Sequence, residues 1–201
     1  MQNRIKSMIE ESIEAKKLAK ELVPQIEKAT GLVISALKNN KKILLAGNGG
    51  SASQASHIAA EFVGRYKIER KGLAAISLAS DLSAVTAIGN DYGFDVIFER
   101  QIEALGNGGD VFIALSTSGS SQNIIKAVEK AKKKNINVIG LLGKGGGKMK
   151  KLFGSMLASS HASTSYVEII VPSDNVPRIQ EAHLMILHII CELVDEKLFG
   201  K

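Results

Sequence analysis

The sequence predicts an α/β protein: a doubly wound, five-stranded parallel sheet flanked by helices, with an N-terminal helical hairpin over residues 1–40. Three observations carry that expectation. Short apolar runs of strand length recur at residues 43–45, 74–78, 111–115, 137–142 and 167–171. They are continuous rather than alternating, as expected of strands covered on both faces, and helix-length segments separate them. Glycine and serine cluster where the first and third runs pass into the following helices. At 201 residues and 45% apolar content, the chain suits a single domain, 1–201, with an ordinary core.

The elements follow in order. Ile5, Met8, Ile9, Ile13, Leu18 and Leu22 recur near helical spacing among many charges, giving a first helix over 2–22. Pro24 breaks it, and a second helix over 25–37 stops at Asn39-Asn40. Neither has a sheet partner of its own, so their apolar faces must be buried on the sheet or against another subunit. The first strand ends at Gly47. Asn48-Gly49-Gly50 form a tight turn, and a helix begins near Ser51, whose hydroxyl can cap it, and runs to about residue 66. After the second strand come a helix over 82–88, a turn over 89–93 and a helix over 98–105. A helix over 121–134 joins the third and fourth strands. Residues 143–148 read as a flexible loop and 161–165 as another. Pro177 opens a last helix that runs to about 199.

Composition excludes several classes. The formal charge is +6, but the lysines are scattered and read as solvated helix ends. Three Tyr, six Phe and no Trp leave little for base stacking, so nucleic acid is not an expected partner. The single cysteine, Cys191, excludes an internal disulfide and lies in an apolar helical pattern as a buried, inert thiol. The charged N-terminus lacks a signal core, and no stretch is apolar enough to span a bilayer, so a soluble, cytoplasmic protein is expected.

Chemistry concentrates in three places. The turn after the first strand points a helix N-terminus, with its positive dipole end, at whatever lies beyond the sheet, which suits an anion. Its helix carries His57 and Glu61 four residues apart, on one face. The second loop crowds Ser116, Thr117, Ser118, Ser120 and Ser121 around Gly119, a set of hydroxyls suited to a phosphate monoester. Either loop alone is an ordinary turn; two at strand ends of one sheet are harder to dismiss. The last helix adds Gln180, His183 and His188. A buried histidine near an acid is an acid-base candidate. His57, Glu61, Gln180 and one of those two histidines would also make a divalent-metal set suited to zinc. Spacing from Gln180 favours His183. Gly47-x-Gly49-x-x-Ala52, with Asp81 as a ribose acid, fits the dinucleotide pattern only loosely, and Met149 after Gly147-Lys148 rules out a Walker A loop.

Four segments together, AGNGGSASQASHIAAEF, GNDYGF, STSGSSQN and RIQEAHLMILH, resemble the phosphoheptose isomerases of the sugar isomerase (SIS) domain family over nearly the whole chain. The loops mark the superfamily; His57, Glu61, Gln180 and His188 together mark the isomerase. The resemblance implies a flavodoxin-like SIS fold and a cytoplasmic homotetramer with sites at subunit interfaces. It implies conversion of D-sedoheptulose 7-phosphate to D-glycero-D-manno-heptose 7-phosphate through an enediol, for bacterial lipopolysaccharide or capsule. Glu61 and His188 would be the acid-base pair, and one zinc per subunit would sit on His57, Glu61, Gln180 and His188. Substrate contacts would come from Asn48, Gly49, Gly50, Ser51, Glu61, Asn90, Asp91, Ser116, Thr117, Ser118, Ser121 and Gln180, with Arg65 a further candidate. The chain departs from the pattern at Pro177, where related enzymes often carry an acid.

Two other readings compete. A non-catalytic SIS module that binds a sugar phosphate or a protein would share the loops but has no chemical use for His57, Glu61, Gln180 and His188. A nicotinamide-dependent enzyme would need tight dinucleotide binding.

Overall fold

A computed structural model describes residues 1–158 and 164–200. Five parallel strands, β1 (Ile43–Ala46), β2 (Ala75–Ser77), β3 (Val111–Ser116), β4 (Asn137–Leu142) and β5 (Tyr166–Ile170), form one sheet in the order β2-β1-β3-β4-β5. The central strand β3 is buried along its whole length. That is why its sequence is continuously apolar.

Alternation along each strand divides the core in two. Ile43 and Leu45 of β1 and Val111, Ile113 and Leu115 of β3 face one side. There they meet α2 (Val23–Lys38), α3 (Gly50–Val63) and α8 (Val176–Phe199), through Val33, Phe62 and Ile186 among others. Leu44, Phe112 and Val138 face the other side. They meet α5 (Ile97–Leu105), α6 (Gln122–Lys133) and α7 (Gly147–Ala158), through Phe98, Val128 and Phe153. The helix α1 (Gln2–Leu18) docks on α8, and Ile5, Met8, Ile9 and Ile13 stay exposed beside Arg178 and Glu181.

Several boundaries differ from expectation, and the helix expected to run to about residue 66 ends at Val63. The first helix ends at Leu18, a 3-10 turn covers Ala19–Leu22, and Pro24 lies in the first turn of α2, where its missing N–H costs nothing. The helix α4 (Leu82–Tyr92) continues through the expected turn. Its terminator is Gly93, at φ +89°, whose N–H bonds the Gly89 carbonyl. Residues 147–158, expected in part to be loop, form α7. Residues 161–163 of the expected loop over 161–165 lie outside the described residues.

Candidate functional site

Beyond the carboxyl ends of β1 and β3 the chain switches direction: β1 is followed in sequence by β2 on one side, and β3 by β4 on the other. Ligands of open α/β sheets bind at such a crevice. Both glycine-serine loops lie there. Asn48 and Asn123 span it with a reciprocal pair of amide hydrogen bonds, each 2.9 Å, tying the first loop to the start of α6.

The first turn is built differently from expectation. Helix α3 begins at Gly50, with Gly49 at φ +56° as its N-cap. No side chain caps it, and Ser51 is buried. The Ser51, Ala52 and Ser53 amides bond back to the Asn48 and Gly49 carbonyls. What the turn presents to an anion is therefore the positive end of the helix dipole more than a row of free amides. A Cβ on Gly50 would lie 2.7 Å from the Gln180 amide nitrogen, so glycine is what lets that amide rest over the turn.

In the second loop, Ser116 and Ser121 share a hydroxyl contact of 3.2 Å, and Ser118 accepts from the Ser120 amide. Thr117 and Ser118 are partly exposed between them. The segment expected to be a flexible loop, 143–147, proves to brace this one. Met149 N–H donates to the Gly119 carbonyl at 2.8 Å, and Lys148 N–H to the Ser120 hydroxyl at 3.3 Å. Gly119 (φ +61°) and Gly147 (φ +52°) interlock, and a Cβ on either would strike the other loop's backbone. Gly119→Ala is therefore expected to cost at least about 2 kcal/mol, combining a disfavoured φ with a collision against backbone. Urea unfolding of the purified variant measures that loss.

Farther along α3, His57 and Glu61 meet His188 of α8. His57 Nε2 lies 3.0 Å from His188 Nε2 and 3.4 Å from Glu61 Oε1. One ligand atom from each of the three falls within 4.8 Å of the others. That is a group able to hold a metal ion. The two imidazoles cross edge to face at 73°, and Tyr66 stacks on the outer side of His188 at 5.7 Å. Partial burial and the neighbouring His57 lower the pKa of His188, opposed by Glu61.

The other expected contacts divide. Gln180 lies over Gly50, about 10 Å of helix rise before His57. Asn90 and Asp91 are exposed in the last turn of α4, bonded to each other at 2.8 Å. Arg65 pairs with Glu69 on the surface. Asp81 caps α4 by accepting from the Ala84 amide at 2.9 Å, which disfavours a ribose role. Tyr66, Gln54 and Asn123 carry no signal in the sequence apart from their neighbours; Gln54 donates to the Gln180 carbonyl at 2.7 Å.

His183, the residue that spacing favours, is elsewhere. It is fully buried, and its Nε2 lies 3.0 Å from the Leu142 carbonyl, so that nitrogen carries the proton. Burial lowers its pKa to about 4. The folded pKa lies below the unfolded one, so the unfolded chain binds a proton first and stability falls as pH drops from about 6.5 towards 4. The expected loss is about 2 kcal/mol between pH 7 and 5. Urea unfolding at both pH values should show His183→Gln losing correspondingly less.

The fold and loops define the class: residues 9–143 match the SIS domain family model. The phosphoheptose isomerase of Nitratiruptor sp. is 51% identical over 191 residues, 95% of this chain and 96% of that one. That of Helicobacter pylori strain P12 is 51% identical over 180 residues, 90% of this chain and 88% of that one. The solved phosphoheptose isomerase of Neisseria gonorrhoeae superposes with a TM-score of 0.87 at 43% identity, covering 97% of this chain and 98% of that one. The Francisella tularensis enzyme gives 0.89 at 39%, with the same coverage. The chain belongs to the phosphoheptose isomerase family.

Proposed function

We propose that the protein converts D-sedoheptulose 7-phosphate to D-glycero-D-manno-heptose 7-phosphate, for bacterial lipopolysaccharide or capsule. The observation that carries this reading is that His57 and Glu61, on the helix that starts at the glycine turn, meet His188 on a helix far along the chain. A receptor for phosphosugars has no use for that cluster.

The phosphate is gripped by Ser51, Ser116, Ser118 and Ser121, and the positive end of α3 complements its charge. Asn48, Gly49, Gly50, Thr117 and Gln180 contact the sugar, as do Asn90 and Asp91. Glu61 and His188 are the acid-base pair. One takes a proton from C1 and returns it to C2; the other moves a proton from the C1 hydroxyl to the C2 oxygen. The enediol between them has no net change in atoms, only in the position of two protons. Neutral imidazole is the form His188 needs both to accept a proton and to bind a cation, though one ring nitrogen cannot do both at once, and its lowered pKa favours that form.

Zinc fits the donor set. Bonds of about 2.0–2.1 Å at tetrahedral angles space ligand atoms by about 3.3 Å, and the observed edges of 3.0 and 3.4 Å bracket that value. His57, Glu61 and His188 would hold it, with Gln180 as the fourth ligand. When bound, zinc would draw charge from the sugar oxygens as a Lewis acid.

Assembly as a cytoplasmic homotetramer goes with this reading. The exposed apolar stripe Ile5, Met8, Ile9 and Ile13 supports a subunit contact. No described helix is long and apolar enough to cross a membrane. The test is conversion of sedoheptulose 7-phosphate by purified protein with zinc present. Turnover to the aldose is expected; no turnover by folded, zinc-loaded protein overturns the reading.

A further inference from the structure

Beyond the cluster, a buried ion pair ties the chain after α3 to α8. Arg70 Nε donates to Asp195 Oδ1 at 2.6 Å, and both side chains are 1% exposed. Arg70 turns its other donors mainly on the end of α3, with one Nη1 contact to the Lys71 carbonyl at 3.1 Å. Nη2 donates to the Glu61 carbonyl at 2.9 Å, and Nη1 to the Phe62 carbonyl at 2.9 Å and the Gly64 carbonyl at 3.1 Å. A helix C-terminus leaves such carbonyls without helical partners, and Phe62 also accepts from the Leu73 amide at 2.9 Å. Asp195 uses its other oxygen to receive the Lys67 and Ile68 amides at 3.2 and 3.3 Å. It lies seven residues after His188 on α8, only about 20° from it around the helix axis.

One guanidinium therefore holds the backbone of Glu61 while bonded to a carboxylate two turns from His188. A buried charge pair is a poor source of stability, because taking two ions out of water offsets their attraction. A geometric role explains it better. We propose that Arg70 and Asp195 are positioning residues that set the spacing of α3 against α8, and so the approach of Glu61 and His57 to His188. The proposal rests on the isomerase reading. A cation cluster tolerates little displacement, and groups that orient metal ligands typically change affinity by about 10- to 100-fold when lost.

The test uses Asp195→Asn, Arg70→Lys and the apolar pair Arg70→Met with Asp195→Leu, in the full-length protein. Lysine keeps the charge but has no planar fork to reach three carbonyls. Zinc affinity is measured by competition with a chromophoric chelator, turnover with sedoheptulose 7-phosphate, and folding by urea titration. The expected result for each variant is zinc affinity weakened at least about tenfold and kcat lowered by about the same factor, with KM within about twofold. The decisive arm is Arg70→Lys, which keeps a cation beside Asp195 but cannot hold the three α3 carbonyls, and should lose both zinc affinity and kcat by more than its unfolded fraction accounts for. The proposal is overturned if folded variants keep parental zinc affinity and kcat, or if the loss in every variant only tracks its unfolded fraction. A parent protein without turnover would sink the isomerase reading instead, and chelator competition on the same samples would still decide the role of the pair.

Discussion

Glu61→Gln should reduce kcat by about 10²- to 10⁴-fold, the range a positioned acid-base group contributes. The side chain is the right size and shape to stay in place, so the loss belongs to the carboxylate. Its Oε1 lies 3.4 Å from His57 Nε2 and its main-chain carbonyl is held by Arg70, which leaves the amide variant little freedom to rearrange. Replacing an anionic ligand by a neutral one should also weaken zinc binding. Stability should change by less than about 1 kcal/mol, because the pair with His57 is partly exposed. An assay of aldose formation alongside urea unfolding separates the two effects. Retained turnover would remove Glu61 from the mechanism.

The second large effect separates the two histidines of α8. His188→Gln should lower kcat by at least about 100-fold and weaken zinc binding with it. His183→Gln should leave kcat within a few-fold of the parent. Only His188 lies beside His57; His183 is fully buried with its proton committed to the Leu142 carbonyl. If His183→Gln were the variant that lost turnover without unfolding, the roles assigned here would be reversed.

The reason sequence spacing favours His183, which lies away from the His57–Glu61–His188 group, is physical. His183 is closer than His188 to the Gln180 position around an ideal helix, and periodicity reports only which face a residue occupies. It does not report which neighbour covers that face. Helix α8 packs against the sheet along one side and against α1 and α3 along others, so a face can be buried without belonging to the site. The family resemblance, by contrast, points to His188. The strands were legible because burial on both faces writes an unbroken apolar run. Helix α7 was not, although Met149, Leu152, Phe153 and Met156 have helical spacing, because the glycines and lysines before them look like loop. Arg70 and Asp195 were hidden for a similar reason. Each stands among other charged residues, in RYKIERK and VDEK, where a solvated surface is the ordinary reading.

Helix α3 begins at the glycine turn and carries His57 and Glu61 farther along the same rod. The advance of an α-helix is invariant at about 1.5 Å per residue, so Ser51 and His57 are separated by about 9 Å whatever side chains lie between them. Such a rod is a caliper. On the proposed function, a phosphosugar anchored at one jaw would present its carbonyl to the other only if its carbon backbone has the matching length, and shorter homologues would fall short of the second jaw however tightly the first one closes.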